Sequence, residues 1–245
     1  MKNITFWRKS LKIKWLIYMA FSVGKIKVRK HTCTYENITF DGICTMKQAK
    51  VLTDKELNKV LDVISLYTHA ERNRAMVLLT HLCGLRVCEL ANLRVSDVVN
   101  ENGEIRDLLY LDATQTKGSE VRRVFVGKRA KSALKRYLQS NTSVLQRTFL
   151  FNTQKSKRFN TNALTQLIKR LYERSGIRGA SSHSGRRSFI TNLANKGVNV
   201  RVIAELASHK SIQTTQRYIE ASETTLANAV DLLWDATAHT SWRKH

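Results

Sequence analysis

The apolar positions along most of this chain recur at intervals of three and four residues, which is the spacing of amphipathic helices. The first clear case begins at Thr53, whose hydroxyl can cap the free backbone amides while Glu56 reaches back to complete a capping box. Its apolar stripe is formed by Leu57, Val60, Leu61 and Ile64. The pattern therefore predicts a helix that starts at Thr53 and buries one face.

The same periodicity predicts several further helices. A second apolar helix covers Arg72 to Cys83, Gly84 ends it, and Val87 to Leu93 begins another. Later helices are predicted over Ala130 to Gln139, Asn162 to Ser175, Ser184 to Asn195, Val200 to Ala207, Ile212 to Glu220 and Thr224 to Thr237. Helices thus account for most of the predicted structure.

Two β-rich runs interrupt this helical pattern. They cover Leu108 to Thr114 and Val121 to Val126, and the five residues between them include Gly118, which can take a positive φ. This is the signature of a hairpin. The predicted fold class is mainly α with a small antiparallel β-sheet.

The first 47 residues differ from the rest of the chain because they show no clear periodicity. They carry ten Lys and Arg residues against Glu36 and Asp41. We interpret residues 1–47 as a basic N-terminal arm and residues 48–245 as one folded domain. The apolar run from Trp15 to Gly24 is too short to span a membrane, and the lysines and arginines that follow make it a poor signal peptide. The cytoplasm is therefore the expected location.

Charge narrows the class of partner. The chain has 42 Lys and Arg residues against 19 Asp and Glu, a formal net charge of +23, which favours a polyanion as its partner. No acidic residue occurs between Val121 and Tyr172, where the basic residues are Arg122, Arg123, Lys128, Arg129, Lys131, Lys135, Arg136, Arg147, Lys155, Lys157, Arg158, Lys169 and Arg170. These charges are spread over a strand, helices and a loop, whereas a membrane surface favours one basic amphipathic helix. A DNA phosphate backbone is the better match.

The sequence gives no sign of a metal or nucleotide cofactor. The four cysteines, Cys33, Cys44, Cys83 and Cys88, form no Cys-x-x-Cys pair and have no histidines at zinc spacing, so they are interpreted as reduced thiols. The chain also lacks a glycine-rich phosphate loop and a carboxylate cluster that would hold magnesium. No cofactor is expected.

Six residues are candidates for chemistry, and each has an ordinary structural explanation when it is taken alone. Arg86 could be a surface charge or an ion-pair partner of Glu89, and the others could be solvated or core side chains. The six are Arg86, Lys117, His183, Arg186, His209 and Tyr218. Their order along the chain carries more information than any one of them.

That order resembles the tyrosine recombinase (phage integrase) family, over about Val51 to Ala221. The most specific matches are Ser-His-Ser-Gly-Arg-Arg-Ser-Phe around Arg186 and Ala-Ser-His-Lys-Ser-Ile-Gln-Thr-Thr-Gln-Arg-Tyr-Ile, which ends just after Tyr218. The segment Gly-Leu-Arg-x-x-Glu-Leu around Arg86 also matches. The resemblance implies an integrase-type catalytic domain in which all six candidates are catalytic and none is substituted.

The chemistry implied by the resemblance is cleavage and rejoining of double-stranded DNA through a 3′-phosphotyrosine bond. Tyr218 is the expected nucleophile, and Arg86 and Arg186 can grip the phosphate oxygens. His209 would add a further hydrogen-bond donor. His183 is the best candidate to accept the tyrosine proton, because the pKa of histidine lies near neutrality.

Lys117 on the hairpin could supply a proton to the departing 5′ oxygen. If Lys117 proved to be only a phosphate contact, Arg122 and Arg123 would be the candidates to replace it. Since a phosphotyrosine conserves the energy of the broken bond, the reaction requires neither ATP nor a metal ion. The sequence does not identify the DNA site or decide between integration, excision, inversion and resolution.

The chain departs from the family in two respects. Ser208 stands where glycine is common, and only about 50 residues precede the catalytic region, where many members have a DNA-clamping domain of about 100 residues, an ordinary domain size. The basic arm or a partner would then have to clamp DNA, or the chain is a truncated product.

In the family a C-terminal helix docks on a neighbouring protomer. The helix predicted over 224–237 has an apolar stripe that fits this role, formed by Leu226, Val230, Leu233 and Trp234, although the stripe could equally fold onto its own domain. A tetramer on two DNA duplexes, with accessory DNA-bending proteins in some cases, is the implied assembly.

Two other functions remain open on the sequence alone. A type IB topoisomerase uses nearly the same chemistry to swivel and reseal one duplex. A DNA-binding remnant would recognise a site without cutting it, although the intact set of six residues argues against this.

Overall fold

The fold is described from a computed structural model, in which residues 48–116 and 120–218 are described. The predicted arm, residues 1–47, the predicted helix over 224–237 and Lys117 lie outside these residues. The helices are α1 (Asp54–Ser65), α2 (Ala70–Leu82), α3 (Val87–Ala91), α4 (Val95–Val98), α5 (Lys128–Ser140), α6 (Thr161–Arg174), α7 (Ser184–Asn195), α8 (Val200–Ala207) and α9 (Ile212–Gln216), with a 3-10 helix at Thr142–Gln146. The strands β1 (Leu108–Leu111) and β2 (Arg122–Phe125) form one antiparallel pair in which Leu109 faces Val124. The predicted fold class, mainly helical with a small antiparallel sheet, is confirmed.

Helix α1 shows how local sequence sets an element boundary. Thr53 accepts a hydrogen bond from the Glu56 backbone amide, and the Glu56 carboxylate accepts one from the Thr53 amide in return. This is the predicted capping box. The four predicted stripe residues are all buried.

Helix α2 forms the centre of the domain. Its residues Ala75 to His81 are all buried, which a helix can accommodate only when neighbours cover it on every side. Helices α1, α5 and α7 are those neighbours. Because α2 ends at Leu82, just before Gly84 and Arg86, the position of α2 in the core determines where these two residues lie.

Two glycines allow the backbone segments of the candidate site to approach each other. Gly84 has a φ of +62°, and a Cβ atom there would lie 2.5 Å from the Phe189 ring. Gly185 in α7 packs against α2 so closely that a Cβ atom would lie 2.2 Å from Thr80 Oγ1. A side chain at either position would push α7, which carries Arg186, away from α2.

The largest corrections to the predicted boundaries are at the ends of β1 and α9. β1 ends at Leu111 rather than at Thr114, because the Asp112 carboxylate accepts hydrogen bonds from the Thr114 and Gln115 amides and turns the chain. α9 ends at Gln216 rather than at Glu220, and Tyr218 lies in a turn in which its amide donates to the Thr215 carbonyl. The nucleophile candidate is therefore just outside the helix, where its position depends on side-chain packing.

The described residues also bear on two simpler expectations. Cys83 and Cys88 are free thiols, as predicted, while Cys33 and Cys44 lie outside the described part of the chain. Within residues 48–116 and 120–218, no helix is both long enough and apolar enough to cross a membrane.

Candidate active site

Arg86 lies at the start of α3, immediately after the turn that Gly84 permits. Its backbone amide donates to Glu89 Oε2 at 2.8 Å, and its Nη1 donates to Glu89 Oε1 at 2.7 Å. Its Nη2 donates to the Ser208 carbonyl at 3.2 Å, which joins α3 to the end of α8. The Arg86 side chain keeps 26% of its surface exposed, so part of the guanidinium faces solvent.

Arg186 is the most deeply buried of the candidate residues that the structure describes. Its Nη1 donates to the Gly84 carbonyl at 2.6 Å, and its Nη2 donates to the Ala207 carbonyl. Burial first, and then the nearby charges of Arg86 and Arg122, lower the pKa of Arg186 to about 9. An anion bound beside Arg186 would stabilise its charged form against both burial and the repulsion from the neighbouring guanidinium groups.

Arg122 and Glu89 complete this group, and neither was among the sequence-predicted catalytic residues. Glu89 is fully buried and accepts hydrogen bonds from the guanidinium groups of both Arg86 and Arg122. The Glu89 charge also acts on the Arg186 guanidinium, although no hydrogen bond joins these two described side chains. We call Arg86, Arg122, Arg186 and Glu89 the arginine cluster. The signal for Glu89 was present in the Gly-Leu-Arg-x-x-Glu-Leu segment, three residues after Arg86, but sequence alone does not show its burial.

The expectation that Arg122 could replace Lys117 at the DNA is wrong. Its side chain is only 2% exposed and is directed into the domain. Arg123, the next residue along β2, is 58% exposed and forms an ion pair with Glu205 at 2.8 Å. The period of two along a strand places these neighbours on opposite faces.

His209 lies beside the arginine cluster, at the end of α8. The preceding residue, Ser208, has a φ of +49°, which explains why glycine is common at this position: a non-glycine residue there is strained by roughly 1–2 kcal/mol. His209 Nδ1 is 2.8 Å from Thr215 Oγ1, which orients the ring. Burial first, and then the charges of Arg186, Arg86 and Arg122, lower the pKa of His209 to about 4, so its ring is neutral at pH 7.

Tyr218 is half-buried and packs against His209. The two rings are stacked with their centroids 5.9 Å apart. The Tyr218 ring also packs against the small apolar cluster of Ile190, Ile203 and Ala207. A negative charge on the Tyr218 oxygen would stabilise the charged form of Arg186, so the Tyr218 hydroxyl lies within electrostatic reach of the arginine cluster.

The structure does not join His183 to Tyr218. His183 is exposed at the start of α7, where its backbone amide donates to Ser181 Oγ. Among the described residues, its ring makes no hydrogen bond. Lys117 lies outside the described residues, but the two sides of its loop are joined because Thr116 Oγ1 donates to the Glu120 carbonyl at 2.7 Å.

The structure thus brings together Arg86, Arg186, His209 and Tyr218. A cleft of about 450 Å³ next to them is lined by residues that include Arg122, Arg123, His209 and Lys210. A larger cleft, of about 700 Å³, lies at the opposite end of α2 and contains none of the six candidates. Within residues 48–116 and 120–218, no group of three or more His, Cys, Asp or Glu side chains is placed to hold a metal ion.

A buried arginine cluster next to a turn that presents a tyrosine defines the class of this domain as tyrosine recombinase-like. The profile of the phage integrase family matches residues 50–225, and the chain belongs to this family. The expected family membership is confirmed.

Named relatives support the same assignment. Tyrosine recombinase XerA of Pyrococcus furiosus is 31% identical over 183 residues, which cover 74% of this chain and 61% of the relative. Tyrosine recombinase XerD of Oceanobacillus iheyensis is 30% identical over 186 residues, which cover 74% and 60% respectively. The match therefore spans about three fifths of the length of these curated relatives.

Solved structures confirm the integrase-type catalytic fold. The crystal structure of XerA recombinase matches with a TM-score of 0.62 and 25% identity, and the match covers 76% of this chain and 66% of that one. XerH site-specific recombinase bound to palindromic difH substrate in a post-cleavage complex also matches with a TM-score of 0.62. Its identity is 26%, and the match covers 81% of this chain and 56% of that one.

Proposed function

We propose that this protein is a site-specific recombinase that cuts and rejoins double-stranded DNA through a 3′-phosphotyrosine intermediate. The observation that carries the proposal is the arginine cluster beside Tyr218. It holds three guanidinium groups around one carboxylate, which leaves an excess of two positive charges within reach of a tyrosine hydroxyl. A phosphodiester is the anion that would be attacked there.

The arginine cluster would act by stabilising the charge that develops on the attacked phosphate. Arg86, which is partly exposed, and Arg186 would donate hydrogen bonds to the two non-bridging oxygens. A neutral His209 whose Nδ1 accepts from the Thr215 hydroxyl would carry its proton on Nε2. That proton would provide a further hydrogen bond to the phosphate.

Proton transfers would complete each step. The Tyr218 oxygen attacks phosphorus while its proton passes to His183, whose exposed ring is available for this role. The bond from phosphorus to the 5′ oxygen breaks, and Lys117 donates a proton to that oxygen. Attack by a 5′ hydroxyl on the phosphotyrosine reverses these transfers and rejoins the strand without ATP.

The DNA partner is supported by charge and by relatives. The run without acidic residues from Val121 to Tyr172 places exposed basic side chains such as Lys128 and Lys155 on the domain. The XerH structure is a complex with a DNA substrate. Residues 48–245 would form the catalytic domain, residues 1–47 would add a basic clamp on the duplex, and the cytoplasm would be the place of action.

The direct test is to trap covalent adducts. The purified chain is incubated with fragmented cellular DNA, the protein is denatured, and the DNA ends attached to protein are sequenced. We expect a defined sequence at these ends, and we expect adducts to form equally well in EDTA because arginines stabilise the charge. Strict dependence on magnesium would contradict the proposed mechanism.

Assays of supercoil relaxation and of DNA binding, run beside the adduct assay, separate the alternatives. Supercoil relaxation without strand exchange between two sites would indicate a type IB topoisomerase. Site-specific binding with no adduct would indicate a DNA-binding remnant.

We further propose that the enzyme acts as a tetramer on two DNA duplexes, through head-to-tail contacts that close into a ring. The helix predicted over residues 224–237 would dock on the neighbouring protomer and so link assembly to the placement of Tyr218. A chain truncated before Thr224 should then bind a single half-site with the affinity of the full chain but fail to assemble on paired sites, as measured by light scattering and gel shift. Recombination by the truncated chain at the full rate, or its unfolding, would contradict this docking role.

A further inference from the structure

Arg122 is buried at a position where it can connect three parts of the proposed active site. It is the first residue of β2, and its guanidinium donates to Glu89 Oε2, to the Gly84 carbonyl at 3.2 Å and to the Leu206 carbonyl at 3.3 Å. A planar guanidinium with five N–H donors can serve several acceptors at once, whereas the ammonium of lysine acts as a single point charge.

The two carbonyl contacts, and the strand that carries Arg122, lead to different catalytic candidates. Gly84 precedes Arg86 by two residues, and its carbonyl also accepts the hydrogen bond from Arg186. Leu206 belongs to the last turn of α8, which ends just before His209. β2 itself continues from the loop that carries Lys117.

We propose that Arg122 is a positioning residue that holds the start of β2, the Arg86 turn and the His209 turn in one arrangement. This rests on the proposed recombinase function. Arg122 does not touch DNA, since its side chain is 2% exposed. It acts through the groups that do.

Arg122 also affects how strongly Arg86 is bound to Glu89. The Glu89 carboxylate is fully buried, and it is shared between Arg86 on one oxygen and Arg122 on the other. With Arg122 removed, the whole carboxylate charge would act on Arg86 and hold it away from a phosphate. Arg122 thus leaves Arg86 free to bind the DNA while Glu89 remains paired.

The test compares Arg122→Lys and Arg122→Met with the matched control Arg123→Met. The control removes the same charge from the adjacent position, where the side chain is exposed and forms an ion pair with Glu205. For each full-length variant, thermal unfolding, affinity for half-site DNA and the single-turnover rate of covalent adduct formation at saturating DNA are measured. The substrate is a nicked duplex from which the cleaved strand cannot be rejoined.

We expect both Arg122 variants to bind DNA as the wild type does but to form adducts more slowly, by up to about 100-fold. Arg122→Lys, which retains the buried charge, should melt near the wild-type temperature and lose less activity than Arg122→Met. Arg123→Met should form adducts at the wild-type rate. If Arg122→Lys cleaves as fast as the wild type, or if both Arg122 variants simply unfold, the positioning role is wrong.

A second measurement does not depend on cleavage. The His209 ring is titrated by NMR in the free protein, where burial first, and then the charges of Arg186, Arg86 and Arg122, lower its pKa to about 4. Arg122→Met should raise this pKa, because one of the nearby positive charges is removed, and Arg123→Met should leave it unchanged. If the wild type makes no adduct but the His209 pKa still differs in this way, the proposed function is refuted and the position of Arg122 in the arginine cluster is supported. If His209 titrates equally in the wild type and both variants, the proposed position of Arg122 beside His209 is wrong.

Discussion

Replacing Tyr218 by phenylalanine is expected to abolish covalent attachment to DNA while leaving DNA affinity almost unchanged. The substitution removes the only atom that would attack phosphorus. It keeps the ring that stacks on His209 and packs against Ile190, Ile203 and Ala207. The hydrogen bond that Thr191 donates to position 218 ends on the backbone carbonyl and is also kept.

The affinity should be retained because the arginine cluster is untouched. Among the described residues the Tyr218 hydroxyl makes no hydrogen bond, so its loss leaves no buried group without a partner. The matched control is Tyr110→Phe, which removes a hydroxyl from an exposed tyrosine on β1. The measurement is the amount of denaturation-resistant adduct on nicked duplex DNA, beside a gel-shift titration of the same duplex.

Tyr110→Phe should form adducts at the wild-type rate. An adduct formed by Tyr218→Phe would assign the nucleophile to another residue. A loss of DNA binding in Tyr218→Phe would instead show that the hydroxyl contributes to recognition, which the geometry of the arginine cluster does not require.

The elements of this fold follow from local sequence where the determining interactions are local. The capping box of Thr53 and Glu56 involves residues three apart, and the structure contains it as predicted. The end of β1 was misplaced because Asp112 turns the chain with its own carboxylate, within a run whose composition otherwise favours a strand. Short-range hydrogen bonds of this kind compete with propensity and decide the boundary.

The candidate site was predictable only in part, because its contacts join distant segments. The order of the six candidates along the chain identified Arg86, Arg186, His209 and Tyr218, which the structure brings together. The role of Arg122 depends on the Gly84 and Leu206 carbonyls, 38 and 84 residues away. No periodicity distinguishes Arg122 from Arg123 as the buried neighbour until the pairing of β2 with β1 is known.

Lys117→Ala is expected to slow cleavage of ordinary DNA by a factor of about 10²–10⁴, the usual contribution of a general acid. The proposed reason is that the departing 5′ oxygen is a poor leaving group until it gains a proton. The supporting structural observation is that the hairpin is held in place on both sides of Lys117, by the bond from Thr116 to Glu120 and by the ion pair of Glu120 with Lys210 at 2.8 Å.

Substituting sulfur for the bridging 5′ oxygen separates proton donation from phosphate binding, because a thiolate departs without a proton. On that substrate Lys117→Ala should cleave nearly as fast as the wild type. The control is Lys128→Ala, which removes an exposed positive charge from the start of α5. Any defect in this control should be the same on both substrates.

An equal defect of Lys117→Ala on oxygen and sulfur substrates would reduce Lys117 to a phosphate contact. The proton donor would then have to be sought elsewhere on the hairpin. Arg122 is excluded from that role by its burial. Recovery on the sulfur substrate alone would instead place the Lys117 ammonium at the scissile 5′ oxygen during cleavage.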